Sequence, residues 1–182
     1  MKAPLRITLV QSSLHWQDVD ANLAMFSRRL TNVSVIDLIV LPEMFTTGFS
    51  MDAERLAEEM DGKAINWMRS LAAGKNAVVT GSLIIKEPNP DVEDAWLYYN
   101  RLIWMKPDGK YLTYDKRHLF SLSGEEKIYT AGTEKWIVEL NGWKICPLIC
   151  YDLRFPVWSR NTAPSPSGRA GEGYYDVLLY VA

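Results

Sequence analysis

The run Ile36-Asp37-Leu38-Ile39-Val40-Leu41, stopped by Pro42, is the feature that most constrains this chain. It is too short for a stable helix, and its nearly continuous, β-rich apolar character describes a strand covered on both faces. Such a strand has to lie inside a layered structure, with other elements packed above and below it. Proline cannot continue the hydrogen-bond ladder, so Glu43 stands just past the strand's C-terminal end.

The neighbouring segments supply the layers. Residues 5 to 10 read as a buried first strand ending near Gln11. Val19, Leu23, Phe26, Leu30 and Val33 fall at four-three-four-three spacing, which lays one apolar stripe along a helix. Ala64, Trp67, Met68, Leu71 and Ala72 repeat that spacing, with Gly74 near the expected helix end, and residues 77 to 85 form another buried strand. The order is β-α-β-α-β. Beyond it, the aromatic and β-branched stretch 95 to 105 is joined to residues 110 to 114 by the turn Lys106-Pro107-Asp108-Gly109. Asn141-Gly142 marks a second hairpin, because that dipeptide accepts positive φ at both turn positions. After Cys150 a short helix with Asp152 as N-cap is expected, which places Cys150 at a strand-to-helix junction. Residues 161 to 173 have linker composition, and residues 175 to 181 resume a buried-strand pattern. The chain reads as one α/β domain over residues 1–182, with a disordered insert at 161–173.

Composition narrows the function classes. Lys and Arg number 20 against 22 Asp and Glu, a net charge of −2, which provides no global field for nucleic acid or anionic lipid. No apolar run reaches the length of a membrane span, and the N-terminus lacks the features of a signal peptide, so a mature, soluble, cytoplasmic protein is expected. Two cysteines four residues apart form neither a disulfide framework nor a zinc pattern. The motifs of serine hydrolases, zincins, P-loop enzymes and dinucleotide-binding folds are missing from the sequence. Only His15 and His118 could serve a Ser-His or Cys-His machine, and His15 reads equally as a surface or capping side chain.

Three other residues have positions suited to chemistry. Strand period places Cys146 inside a strand as packing, while Cys150 ends that strand, where ligands collect in α/β sheets and following N–H groups can face an oxyanion. On spacing alone Cys150 also reads as a buried structural thiol. Glu43 enters an apolar neighbourhood in which desolvation would favour a general base, the alternative being a surface carboxylate. Lys116, in YDKRHLF, is either an oxyanion donor held by carboxylates or part of a solvated basic cluster.

Taken together, LPEMF at 41–45, YDKRHLF at 114–120 and LICYDLRFP at 148–156 resemble, in order and approximate separation, three signatures of the carbon-nitrogen hydrolase (nitrilase) superfamily. The resemblance extends from ITLVQ to YDVLLYVA. It implies a nitrilase-like αββα sandwich, with two sheets between helix layers. It also implies Glu43 as general base, Lys116 as stabiliser of the tetrahedral intermediate and Cys150 as nucleophile. Glu125, seven residues before Gly132, matches the family's supporting glutamate, with Glu126 as the alternative. The backbone N–H of Tyr151 would share the oxyanion with Lys116. Arg154 is a candidate anchor for a substrate carboxylate, or else a structural partner of Asp152 or another carboxylate. Such a site uses no metal and no cofactor. Its partner is a small-molecule amide, and the family forms homo-oligomers.

Cys-Tyr-Asp-Leu-Arg-Phe-Pro looks like the omega-amidase and related Nit-type amidase branch, whereas true nitrilases usually follow the cysteine with Trp-Glu. That branch implies release of ammonia from 2-oxoglutaramate or 2-oxosuccinamate. Family members are usually well over 200 residues long, so the resemblance further implies a C-terminally truncated fold, less stable and less active than a full-length homologue. Two alternatives stay open at this point: a different amidase of the same branch, acting on deaminated glutathione or a carbamoyl amide, and an inactive truncated remnant.

Overall fold

The computed structural model describes residues 2–161 and 174–182. Strands β1 (Ile7–Leu9), β2 (Leu38–Val40), β3 (Val78–Pro88), β4 (Trp96–Met105) and β5 (Tyr111–Asp115) form one sheet in that order. β1, β2 and β3 are parallel, with α1 (Val19–Leu30) in the first crossover and α2 (Ala53–Leu56) and α3 (Lys63–Lys75) in the second. β3, β4 and β5 continue antiparallel, Gly81 opposing Ile103 and Arg101 opposing Asp115. A three-stranded sheet holds β6 (Val138–Leu140), β7 (Trp143–Ile149) and β8 (Val177–Val181), with β7 antiparallel to β6 and parallel to β8.

The strand period sorts the core into two layers. Odd-numbered residues of the large sheet, such as Ile39, Val79 and Ile103, pack with Phe26 of α1 and Ile65 and Met68 of α3. Even-numbered residues, Leu38, Leu102, Trp104 and Tyr114, pack instead with Ile145 and Leu148 of β7. β2 is fully buried, as its unbroken apolar run requires. The mixed α/β arrangement expected from the sequence is therefore present, and no helix among the described residues is long and apolar enough to cross a membrane.

Several local expectations need correction. β1 is not buried: it lies at the edge of the sheet, which leaves Ile7 and Leu9 exposed. Gly74 does not end its helix. α3 runs through it to Lys75, and Asn76 closes the helix in the left-handed conformation (φ 48°) with its N–H donating to the Ala72 and Ala73 carbonyls. Asp152 caps no α-helix. It lies inside a 3-10 turn, Cys150–Arg154, and α4 (Pro156–Ser159) follows. The last strand begins at Val177, since Tyr175 is held by Asn161, whose side chain both accepts from its N–H and donates to its carbonyl. Of the expected insert, residues 162–173 lie outside the described residues. The Asn141-Gly142 hairpin forms as read, with φ of 52° and 80° at the two turn positions.

Candidate active site

Each residue of the site stands at the end of a strand or opens a short turn. Beyond β2 the ladder continues through Leu41, whose N–H donates to the Thr80 carbonyl at 2.7 Å, and Phe45, whose N–H donates to the Ser82 carbonyl at 3.0 Å. Between those two anchors Glu43 and Met44 turn, Met44 at φ 42° with its N–H on Ser82 Oγ at 3.0 Å. Lys116 directly follows β5, its N–H on the Asn100 carbonyl of β4 at 3.0 Å. Cys150 directly follows β7 at φ 39° and opens the 3-10 turn. A β-carbon at such a φ costs about 1–3 kcal/mol, which the surrounding packing has to hold in place. Glu125 opens a second 3-10 turn, Glu125–Lys127.

These four side chains converge where the two sheets meet. Lys116 Nζ, fully buried, donates to Glu43 Oε1 at 2.7 Å and to Glu125 Oε1 and Oε2 at 3.1 and 2.9 Å. Burial pulls the Lys116 ammonium toward the neutral form, but Glu43 and Glu125 outweigh it, and the net shift is upward. Lys116 is a fixed cation, and the solvated-cluster alternative does not hold. Burial pushes the Cys150 thiol up to about 12, and the charge and hydrogen bonding of Glu43 add to the shift while Lys116 opposes it. Cys150 thus rests as a neutral thiol beside a carboxylate. A cleft of ≈ 420 Å³ between the ends of β1, β2 and β8 opens onto Glu43, with Val10, Phe49 and Tyr180 in its walls.

The other expected residues are distributed as follows. Glu126 is exposed, so of the two neighbouring glutamates only Glu125 reaches Lys116. Tyr151 is the residue after Cys150, and N–H groups at the start of a helical turn have no acceptor within it. Arg154 is exposed and makes no ion pair among the described residues, which removes its suggested pairing with Asp152. His15 is exposed, its backbone paired with Asn22. Cys146 is fully buried and its thiol is pushed up to about 11 by burial, in keeping with a packing role. Among the described residues no cluster of His, Cys, Asp or Glu is placed to hold a metal ion.

Two parts of the site escape a reading of the sequence. Asn100 of β4, fully buried, donates from Nδ2 to Glu43 Oε1 at 2.8 Å and to Glu125 Oε1 at 3.0 Å. The only signal for it is a polar residue on the inward-facing, even-numbered side of β4, whose other members there are apolar or aromatic. Asp152 is the second. One oxygen accepts from the Tyr114 hydroxyl at 2.7 Å and the Ile149 N–H at 3.1 Å. The other accepts from the His118 N–H at 2.9 Å and contacts His118 Nδ1 at 2.8 Å. The His118 ring stacks on Phe155 at 3.8 Å. Asp152 thereby ties the turn that carries Cys150 to the segment that carries Lys116.

Comparison with known proteins agrees with this architecture. The family model described as carbon-nitrogen hydrolase matches residues 6–164. The omega-amidase YafV of Yersinia enterocolitica is 44% identical over 178 residues, covering 98% of this chain and 62% of that protein. A 2-oxoglutaramate amidase of Bacillus subtilis is 37% identical over 127 residues, covering 68% of this chain and 46% of the relative. Among solved structures, a CN-hydrolase superfamily protein from Xanthomonas campestris, with an arsenic adduct in its active site, superposes with a TM-score of 0.87 at 42% identity, over 97% of this chain and 64% of that one. An amidase of the nitrilase superfamily from Nesterenkonia, at 20% identity and a TM-score of 0.72, shares the fold. The chain spans 62% of the length of the omega-amidase it matches. In fold and in sequence, this chain belongs to the carbon-nitrogen hydrolase family.

Proposed function

We propose that the protein is an amide hydrolase of the omega-amidase type, releasing ammonia from 2-oxoglutaramate or 2-oxosuccinamate through a thioester on Cys150. The observation that carries this reading is a buried Lys116 held by two carboxylates next to a strained cysteine at a strand end. Similarity to omega-amidase over 98% of the chain supports the choice of substrate class.

The groups divide the work as follows. Because the Cys150 thiol is neutral at rest, Glu43 takes its proton as sulfur bonds to the amide carbon. The carbonyl oxygen becomes an oxyanion facing Lys116 Nζ and the Tyr151 N–H. Glu43 returns the proton to the leaving nitrogen, the C–N bond breaks and ammonia departs. A water then gives a proton to Glu43 and attacks the thioester. The second tetrahedral intermediate collapses to the free acid, and the proton on Glu43 goes back to sulfur. Lys116 keeps its charge throughout and acts by electrostatics. Glu125 braces Lys116, and Arg154, exposed on the turn after Cys150, is the group we assign to the substrate carboxylate. Both cysteines are free thiols, which suits a reducing compartment such as the cytoplasm.

The test is ammonia release by the purified chain from 2-oxoglutaramate, compared with deaminated glutathione and a carbamoyl amide. Turnover of the first, abolished in Cys150→Ala, is expected. Turnover that survives Cys150→Ala overturns the mechanism, and preference for either other amide overturns the substrate assignment.

A further inference from the structure

The donors and acceptors around Lys116 can be counted. Glu125 accepts four hydrogen bonds: from Lys116 and Asn100 on Oε1, and from Lys116 and, at 2.6 Å, the Phe120 N–H on Oε2. A carboxylate has about four lone-pair sites, so Glu125 is saturated and can take no part in proton transfer without losing a donor. Glu43 accepts from Lys116 and Asn100, both on Oε1. Its Oε2 receives no N–H among the described residues and stays open for a proton.

Asn100 is what makes the two carboxylates differ. Its Nδ2 carries two hydrogens and spends one on each glutamate. The amide orientation is fixed chemically, because both partners only accept, and the Oδ1 consequently has no hydrogen-bond partner among the described residues. A buried, unpaired acceptor is a standing cost, so the packing around β4 holds this amide in an orientation that serves the carboxylates rather than itself. Its backbone joins the same arrangement, the Asn100 carbonyl accepting the Lys116 N–H at 3.0 Å.

We propose that Asn100 is a positioning residue which, by bridging Glu43 Oε1 and Glu125 Oε1, reserves the second oxygen of Glu43 for proton transfer with Cys150. The proposal rests on the assignment of Glu43 as the base. The charged and titratable groups facing Glu43 are Lys116 after β5, Glu125 and Tyr129 from the turn that follows, and Cys150 after β7. The neutral amide adds a donor to this set without adding charge.

The experiment measures the rate at which iodoacetamide alkylates Cys150 as a function of pH, with the modified peptide identified by mass, in wild type, Asn100→Ala, the isosteric Asn100→Asp, and Glu43→Gln. Turnover of 2-oxoglutaramate is followed in parallel. Loss of a donor disfavours the charged carboxylate, so in Asn100→Ala the fall in alkylation on acidification is expected about one pH unit higher. kcat is expected to drop about 10- to 100-fold with KM little changed. Asn100→Asp adds a third carboxylate and shifts the profile further in the same direction. If both Asn100 variants merely unfold more easily and keep the wild-type pH profile, Asn100 is structural and the inference fails. Glu43→Gln separates that failure from the other: an acid limb that survives it overturns the assignment of Glu43, whereas a limb lost there but unmoved in the Asn100 variants overturns the role of Asn100 alone.

Discussion

Gly132→Ala is the substitution whose effect follows most directly from the geometry. Gly132 packs its α-carbon on the backbone that carries Lys116. A β-carbon there would stand 2.2 Å from the Asp115 carbonyl oxygen and 2.9 Å from its carbon. The obstacle is backbone in a paired strand, so a side-chain rotation cannot relieve it. Restoring van der Waals contact requires the 130–132 segment and the end of β5 to part by about 1 Å. The Gly132 N–H, on the Lys116 carbonyl at 3.0 Å, is the bond that fixes their present separation. Overpacking costs about 1–3 kcal/mol and the stretched hydrogen bond about 1 kcal/mol more, so a loss of about 2–4 kcal/mol is expected. With a urea slope of about 2 kcal/mol/M, the unfolding midpoint should fall by about 1–2 M. Because Lys116 is displaced as well, turnover in the folded protein should fall by about 10²-fold. The control is the same substitution at Gly74, where a β-carbon meets nothing within 4 Å on an exposed face of α3. There alanine should stabilise by about 0.5–1 kcal/mol. Circular dichroism in urea and an ammonia assay measure all of this. A Gly132→Ala variant with an unchanged midpoint and turnover within twofold of wild type would refute the reasoning.

Three further outcomes are expected. Cys146→Ala should cost about 1 kcal/mol in urea unfolding while leaving ammonia release intact, since Cys146 only fills space; a folded but inactive Cys146→Ala would contradict that. Lys116→Met leaves Glu43 and Glu125 buried without their cation and should destabilise by about 3–5 kcal/mol. The folded-state shift of Lys116 is upward from 10.5, so its contribution is complete below that pH and is lost as pH rises through the folded value; the alkaline loss of stability should therefore be smaller in Lys116→Met than in wild type. Because burial raises both thiols, ultraviolet thiolate absorbance should stay flat in the folded protein up to about pH 10 and rise near pH 8.5 in urea.

What was legible in the sequence followed from periodicity and turn chemistry. The β2 run, the stripe from Val19 to Val33 and the Asn141-Gly142 turn are local patterns, and each produced its element, although the helix ends at Leu30 and leaves Val33 beyond it. The edge position of β1 was not legible, because its apolar residues look the same whether a neighbouring strand lies on one side or on two. Helix α3 passes through Gly74 because glycine lowers helix propensity without forbidding the conformation, and Asn76 supplies the positive φ instead. The strand-end positions of Glu43, Lys116 and Cys150 could be read along the chain. Their convergence depends on which sheet each strand joins, a long-range matter that only the resemblance implied. Asn100 and Asp152 were missed in those roles, since a buried asparagine and a buried aspartate are meaningful only through the donors and acceptors folded against them.

The left-handed backbone at Met44 and Cys150 places stability and chemistry in opposition at the same positions. Glycine would relax either residue at little steric cost, so mutational scans scored on abundance will tend to favour replacing Cys150 and the residue beside Glu43. Scaffold engineering that stabilises this fold by relieving strain has to leave these two kinks alone, because one carries the sulfur and the other directly follows Glu43.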